Sequence, residues 1–270
     1  MAQIITFGNF KGGVGKTANS TMVAYELAKK GKRTMLIDLD PQGNATNIFL
    51  KTKFNISNDL FSFKSSLMSS IEEENLTNSI INITENLDLL ASAPDFSLYP
   101  RYMEKISNYD ERVKYFSTLI KPLENKYDYI LIDIPPTISL ITDSALYASD
   151  YCVIVMQTHE HSFDGAKAFL TYIQEEVIDL YKAPRLYVIG ILAVLIQAGA
   201  PVDEATIINA QNEFGKENIF DTYITSMQRI KRYGVTGITE GSMHDTRVFD
   251  VYTKVTDELL SRINEVESYE

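Results

Sequence analysis

The chain has 270 residues and a formal net charge of −11, with 45% hydrophobic and 23% charged residues. This composition is typical of a soluble globular protein, and no apolar run approaches the roughly 18 residues that a membrane-spanning helix requires. A strongly acidic chain is a poor general binder of nucleic acid, because affinity for DNA comes mainly from neutralising phosphates, so DNA binding would need a local basic patch. A single cysteine, Cys152, and the lack of a basic-then-apolar leader favour a cytoplasmic location.

The predicted elements alternate between strands and helices along the chain. Short apolar runs predict the strands, and apolar residues at helical spacing predict the helices. This alternation predicts the α/β class: a doubly wound, mostly parallel sheet with helices on both faces, as a single domain over 1–270. In chain order, strands are predicted at Ile4–Phe7, 33–40, 87–92, 127–136, 151–157 and 185–195, and helices near 16–30, 111–122, 140–149, 163–181 and 245–266.

The segment KGGVGKT, from Lys11 to Thr17, lies between the first predicted strand and the first predicted helix. Its three glycines allow a tight turn whose backbone N–H groups, with the helix N-terminus, form an anion site. In such loops the lysine contacts the β- and γ-phosphates and the hydroxyl residue ligates Mg²⁺. The nucleotide-binding residues predicted here are Gly12, Gly13, Val14, Gly15, Lys16 and Thr17.

The loop departs from the strict GxxxxGK[ST] pattern, whose first glycine would fall at Phe10. The pattern xKGGxGKT resembles the deviant Walker A loop of the ParA/MinD family of P-loop ATPases. LIDLDPQGNAT (36–46) is similar to the switch I motif of ParA proteins, and YILIDIPPT (129–137) to their Walker B strand and switch II. The resemblance covers nearly the whole chain and is weakest over about 51–110.

The resemblance implies roles for three acidic residues and implies ATP and Mg²⁺ as cofactors. Asp38 would support the Mg²⁺ shell, Asp133 would hold the metal's water shell, and Asp40 would position the attacking water. The chemistry of the residues agrees, because carboxylates at the ends of parallel strands can hold Mg²⁺ waters. A second acid two residues along a strand faces the same side and can reach a water in line with the γ-phosphate.

A second lysine, Lys11, stands at the other end of the same loop. In the ParA/MinD family this lysine contacts the nucleotide of a second subunit, with the nucleotides sandwiched between the two. The resemblance therefore implies an ATP-dependent homodimer in which Lys11, Lys16 and Asp40 are the catalytic residues. A lysine supplied in trans would act like an arginine finger, which can contribute roughly 10³–10⁵ in rate.

Two positions depart from the family pattern, and a pair of histidines needs a separate interpretation. Ala18 replaces a hydroxyl residue that often contacts the α-phosphate, a hydrogen bond worth roughly 0.5–1.5 kcal/mol. Gln157 stands where many relatives carry proline, which leaves the adenine contacts open. His159 and His161 form an H-x-H pair after a strand, without a third ligand at zinc-like spacing, so we do not interpret them as a metal site.

Residue types separate the branches of the family. The nitrogenase-type branch needs cysteine ligands for an iron–sulfur cluster, and the chain has one cysteine. The MinD-type branch needs a basic amphipathic C-terminal helix, whereas Glu240–Glu270 holds eight acids and three bases. The ParA branch needs a basic surface, and TSMQRIKRYG supplies Arg229, Lys231 and Arg232 as predicted DNA-binding residues.

Together these features predict a DNA-partition ATPase that is cytoplasmic and associated with the nucleoid. The ATP-bound dimer would bind double-stranded DNA without sequence preference, and a ParB-like centromere-binding partner would stimulate hydrolysis. The segment LYASDYCVIVMQ is similar to partition ATPases of plasmids from Gram-positive bacteria, and no N-terminal helix-turn-helix domain is expected. The alternative is a MinD-like or polar-positioning ATPase that acts on a non-DNA cargo or a membrane complex.

Overall fold

The computed structural model describes residues 1–57, 65–197 and 199–269. In these residues one sheet of eight strands forms the centre of the molecule. Its strands are β1 (Gln3–Gly8), β2 (Thr34–Asp38), β3 (Ile80–Thr84), β4 (Leu87–Leu90), β5 (Tyr129–Asp133), β6 (Tyr151–Gln157), β7 (Tyr187–Ile196) and β8 (Ile224–Thr225).

The strand order is β3-β4-β2-β5-β1-β6-β7-β8, and every pair is parallel except β3 with β4. The order reverses around β1, because β5 and β2 lie on one side of it and β6 and β7 on the other. Such a reversal creates a crevice at the carboxyl ends of the strands, where α/β sheets bind ligands.

Helices cover both faces of this sheet, as expected for parallel strands that are buried on both sides. The helices are α1 (Lys16–Lys29), α2 (Asn44–Ser57), α3 (Leu67–Glu72), α4 (Tyr99–Tyr102), α5 (Tyr109–Ile120), α6 (Leu140–Ala148), α7 (Glu160–Tyr172), α8 (Pro201–Phe214), α9 (Gln228–Thr236) and α10 (Met243–Tyr269), with a π-helix over Ile173–Leu180. No helix within the described ranges combines the length and the apolar character needed to cross a membrane.

Neighbouring residues of each central strand contribute to opposite sides of the core. In β1, Ile4 packs with α5, α6 and α7 on one face, and Ile5 packs with α1, α2 and α10 on the other. Both side chains are at most 2% exposed, which explains why these strands read as continuous apolar runs. The two-sided core holds the strand ends rigidly at the crevice.

The doubly wound, mostly parallel sheet is confirmed, and the predicted elements all occur within a few residues of their expected bounds. The predicted helix over 163–181 begins earlier, at Glu160, because His159 caps it by accepting a hydrogen bond from the Ser162 N–H. Beyond Tyr172 the helix continues with π geometry. The poorly recognised segment 51–110 supplies β3, which is the antiparallel edge strand, together with α3 and α4.

Candidate functional site

The carboxyl ends of β1, β2 and β5 bring the predicted site residues together. Asp38 and Asp133, the last residues of β2 and β5, are directly paired in the sheet. Phe7, near the end of β1, is paired with Asp133 on the other side. The loop that follows β1 therefore lies next to Asp133 and one strand away from Asp38, at the edge of the sheet where the sequence predicts a single site.

The Lys16 side chain folds back onto the loop and binds its backbone. The side chain is buried, and its Nζ donates hydrogen bonds to the carbonyl oxygens of Asn9, at 2.9 Å, and Lys11, at 3.3 Å. Burial lowers the pKa of the Lys16 ammonium, although Asp133 and Asp40 oppose that shift. The ammonium is thus held at the loop by its own backbone, ready to meet an anion.

The loop backbone has the form of an anion cradle. Gly13 and Gly15 have φ angles of 77° and 91°, which lie in the left-handed region that favours glycine. Among the described residues, no backbone or side-chain acceptor takes the N–H groups of Gly12, Gly13, Val14 and Gly15. Unused N–H groups before a helix N-terminus form the arrangement that binds phosphate.

Asp133 links α1, the helix that follows the loop, to the end of β5. Its Oδ2 accepts a hydrogen bond from the Thr17 hydroxyl at 2.8 Å, and its Oδ1 accepts one from the Ser20 hydroxyl at 3.1 Å. Burial raises the pKa of Asp133, and the neighbouring Asp38 carboxylate raises it further. A buried acid beside a second acid is electrostatically costly without a cation.

Asp38 is also buried and is held by Thr46. Its Oδ2 accepts hydrogen bonds of 2.8 Å from both the backbone N–H and the hydroxyl of Thr46, while its Oδ1 accepts the Asp40 N–H at 3.1 Å. Burial raises the pKa of Asp38 despite these donors. The two adjacent carboxylates and the Thr17 hydroxyl supply only oxygen donors, which are the ligands Mg²⁺ prefers, so the residues present fit that ion.

Asp40 and Lys11 are more accessible than these groups. Asp40 is half-buried, and its Oδ1 accepts the backbone N–H of Gln42 at 2.9 Å, as in an Asx turn. Lys11 is exposed, and its ammonium meets no carboxylate among the described residues. Its backbone is fixed instead, because its N–H donates to Asn9 Oδ1 at 2.8 Å. Lys11 and Lys16 therefore differ, since only Lys16 is directed inward.

Sequence reasoning assigned no role to several polar residues of the site. Asn9 fixes the backbone of Lys11, and its Nδ2 donates to the Val155 carbonyl at 2.9 Å, which joins the loop to β6. Thr46 holds Asp38, and Gln157 contacts the loop from β6. Their positions in the sequence could have indicated these roles. Asn9 follows β1 and Gln157 is the last residue of β6, and these two strands are adjacent and parallel.

The predicted DNA-binding residues divide into two groups. Arg229 makes a bidentate ion pair with Asp245, with Nε–Oδ1 at 2.6 Å and Nη2–Oδ2 at 3.0 Å, and its Nη2 also donates to the Thr239 hydroxyl. The side chains of this pair are 19% and 1% exposed. Lys231 and Arg232 are exposed on the same helix, α9, so only these two have fully accessible charges.

A cationic pocket lies between α9 and the first turns of α10. It has a volume of about 370 Å³, and its lining includes Arg229, Arg232, His244 and Arg247. Within the described ranges, Arg232 and Arg247 pair with no carboxylate, whereas Lys30 and Arg33, in the segment between α1 and β2, pair with Asp257 and Asp128, respectively. His244 and Arg247 extend the basic surface beyond the residues that the sequence predicted.

The comparisons with known proteins agree with this geometry. The model of a family described as an AAA domain matches residues 2–184. The chain is 29% identical over 235 residues to the chromosome partitioning protein ParA of Myxococcus xanthus, covering 85% of this chain and 77% of that protein. It is 28% identical over 231 residues to the sporulation initiation inhibitor protein Soj of Bacillus subtilis, covering 85% and 87%, respectively.

A solved structure with the same fold is the cobyrinic acid a,c-diamide synthase of Mycobacterium smegmatis with bound ADP and magnesium. The TM-score is 0.76 at 20% identity, and the match covers 98% of this chain and 96% of that one. At this identity the likeness shows the fold alone. The function must therefore be argued from the site and from the sequence relatives.

Proposed function

Because the chain belongs to the AAA-domain family, and within it to the ParA/MinD group of P-loop ATPases, we propose that it is a DNA-partition ATPase. Its activity is the hydrolysis of ATP to ADP and phosphate. In the proposed cycle, an ATP-bound homodimer binds duplex DNA without sequence preference, and hydrolysis releases it. The chromosome-partitioning function named for its relatives supports this assignment.

The loop and its acids have complementary roles toward ATP. The N–H groups of the loop and the Lys16 ammonium bind the phosphates, and Thr17, Asp38 and Asp133 hold Mg²⁺ or its water shell. When bound, Mg²⁺ neutralises charge on the phosphates. Asp40 is accessible and lies two residues after Asp38, so it orients the attacking water. The buried, mutually repelling pair of Asp38 and Asp133 supports this division of roles.

We assign Lys11 to the nucleotide of a second subunit. Its backbone is fixed by Asn9, while its side chain extends from the loop into solvent without a carboxylate partner among the described residues. The ammonium of Lys16 already serves the same loop from within. A cation supplied by the partner couples ATP binding to dimerisation and neutralises charge in the transition state.

The cationic pocket is the observation that most supports DNA as the ligand of the dimer. It presents two arginines, Arg232 and Arg247, that pair with no carboxylate in the part of the chain that the structure describes, and the chain has a net charge of −11. Lys231 lies on the same helix, and Arg229 also lines the pocket, although its guanidinium is already bound to Asp245 and Thr239. Contacts of this kind are made to phosphates, so they carry little sequence information and weaken with salt.

The remaining features of the proposal concern the biological setting. A ParB-like centromere-binding protein would stimulate hydrolysis, and the ATPase would act in the cytoplasm on the nucleoid through its P-loop domain. Service to a plasmid of a Gram-positive bacterium stays a prediction from the sequence. Glu240–Glu270 holds eight acids and three bases, so this segment does not present the basic face through which a MinD-like helix would bind an anionic membrane.

The proposal is tested by DNA binding of the purified protein with ATP, with ADP and without nucleotide, each at two salt concentrations. We expect ATP alone to promote binding to arbitrary duplex DNA, and we expect the higher salt to weaken it strongly. Asp40→Ala should trap the ATP-bound dimer on DNA, because water attack is lost. Equal binding in all three nucleotide states would contradict the proposal.

A further inference from the structure

The end of β6 contacts the phosphate loop through one side chain. Gln157 is the last residue of β6, and its Nε2 donates a hydrogen bond of 3.0 Å to the carbonyl oxygen of Gly13. The contact arises because β6 is paired with β1, so the segments that follow these strands are neighbours. Gln157 is therefore a direct neighbour of the nucleotide site from a strand that carries none of the residues predicted to hold ATP or Mg²⁺.

His159 determines which way the Gln157 amide faces. The backbone N–H of Ser162 donates to His159 Nδ1 at 3.3 Å, as part of the N-terminal cap of α7. Since Nδ1 accepts, a neutral imidazole carries its proton on Nε2 and donates it to Gln157 Oε1, which lies 2.6 Å away. With its oxygen occupied, Gln157 presents its NH₂ group to Gly13.

The Gly13 carbonyl controls the direction of an N–H group in the cradle. A trans peptide is planar, so the Gly13 carbonyl and the Val14 N–H point in opposite directions. Holding the carbonyl on the β6 side therefore directs the Val14 N–H away from β6 and into the loop. Gly13 is exposed, and apart from its chain neighbours no atom lies within 4 Å of the position that a Cβ would occupy, so the Gly13 side of this peptide is little fixed by packing, whereas Val14 is buried.

We propose that Gln157 and His159 are positioning residues for nucleotide binding. Gln157 holds the Gly13–Val14 peptide with its N–H toward the phosphates, and His159 holds Gln157. The same segment is anchored a second time, because the Gln157 N–H donates to the Ser162 hydroxyl at 2.9 Å. The inference rests on the ATPase activity of the loop and is independent of DNA partition.

The first test replaces the donor of Gln157. Gln157→Met keeps the length of the side chain and removes its NH₂ group, so the Gly13 carbonyl loses its hydrogen bond and the Gly13–Val14 peptide is held less firmly. We expect the Kd for a fluorescent ADP analogue to rise about three- to tenfold, as for the loss of one hydrogen bond. The matched control is Gln197→Met, at the exposed residue that follows β7, and its Kd should equal that of wild type.

The second test separates positioning from helix capping. His159→Asn keeps a side-chain acceptor suited to the N-cap, so the melting temperature should stay close to that of wild type. Its shorter side chain does not reach Gln157, so ADP affinity should fall by the same factor as in Gln157→Met. A residue that only caps α7 would leave ADP affinity unchanged when the cap is kept.

Kinetics and a double variant complete the test. In Gln157→Met the KM for ATP should rise while kcat at saturating ATP changes less than about twofold, because ground-state binding is what is lost. The double variant with His159→Asn should bind ADP no more weakly than Gln157→Met alone, since His159 acts through Gln157. Gln157→Glu should bind ADP more weakly than Gln157→Met does, because the carboxylate of the glutamate repels the Gly13 carbonyl.

Three results would overturn the proposal. The first is an unchanged Kd for ADP in both Gln157→Met and Gln157→Glu. The second is normal ADP affinity in His159→Asn. The third is a double variant whose loss of affinity equals the product of the two single losses, which would mean that the residues act independently.

Discussion

The phosphate-loop end of the sheet and the surface formed by α9 and α10 both concentrate charge, but they hold it differently. At the loop, Lys16, Asp38 and Asp133 are buried, and each is fixed by hydrogen bonds to its neighbours. On the α9–α10 surface, Arg232 and Arg247 are exposed and, within the described ranges, have no carboxylate partner. The first region is preorganised for one ligand in one geometry, whereas the second can meet many arrangements of phosphates.

Arg229 belongs structurally to the first kind of region although it lies in the second. Its guanidinium is held by Asp245, which also accepts a hydrogen bond from the Tyr233 hydroxyl at 2.7 Å. This network joins α9 to α10. The difference teaches that one basic residue of a helix can stabilise the fold through an ion pair, while its neighbours on the same helix stay accessible to a ligand.

The largest expected effect is on the loop side of this comparison. Lys16→Met removes the cation to which we assign the phosphate contact, and we expect ATP hydrolysis to fall by about 10²–10³ or more. The α9–α10 surface keeps its charges in this variant. Hydrolysis is measured as phosphate release, and retention of more than a tenth of the wild-type rate would contradict the role given to Lys16.

The next effect distinguishes Arg229 from its neighbours by stability. Arg229→Ala leaves the buried Asp245 without its cation, and we expect a loss of about 2–4 kcal/mol in the free energy of unfolding. Arg232→Ala should change that free energy by less than about 0.5 kcal/mol, as is usual for an exposed side chain. Urea unfolding measures the free energy of unfolding of both variants. Equal values would contradict the claim that Arg229 stabilises the fold and Arg232 does not.

DNA binding, unlike stability, should depend more on the exposed arginines of the pocket than on Arg229. Arg232→Ala and Arg247→Ala should each weaken ATP-dependent DNA binding about equally for all sequences and should lower the slope of log affinity against log salt by about 1. Arg33→Ala is the matched control, because Arg33 is exposed and paired with Asp128 at the other end of the sheet. If both pocket variants keep the wild-type slope of log affinity against log salt, the proposal that the pocket binds DNA phosphates is contradicted.

The smallest expected effect is a pH dependence of stability. Although burial opposes its ionisation, hydrogen bonds from Arg229, Ser242 and Tyr233 hold the pKa of Asp245 well below its usual range. Its stabilising contribution is therefore complete above the ordinary aspartate pKa of about 3.9 and is lost as the pH falls below it. The stability gap between wild type and Arg229→Ala should narrow from about pH 5 to pH 2. A gap that stays constant would contradict the ion pair.

The sequence predicted the position of the glycine loop between β1 and α1, because its residues are contiguous and follow a short apolar strand. It also predicted the placement of Asp38 and Asp133, because parallel strands bring their carboxyl ends together. The partners Asn9, Thr46 and Gln157 were not assigned, since their roles depend on strand order and on which side chains reach across it. The pairing of Arg229 with Asp245 depends on how α9 packs against α10, which periodicity does not specify.

The central claim, that a second subunit completes the nucleotide site through Lys11, is tested most directly by mixing two inactive variants. Lys11→Ala retains Asp40, and Asp40→Ala retains Lys11, so a mixed dimer has one complete site only if Lys11 acts in trans. We predict that an equal mixture recovers about a quarter of the wild-type stimulated ATPase rate, since half of the dimers are mixed and each has one complete site. If the mixture stays as inactive as either variant alone while mixed dimers form, the claim is contradicted.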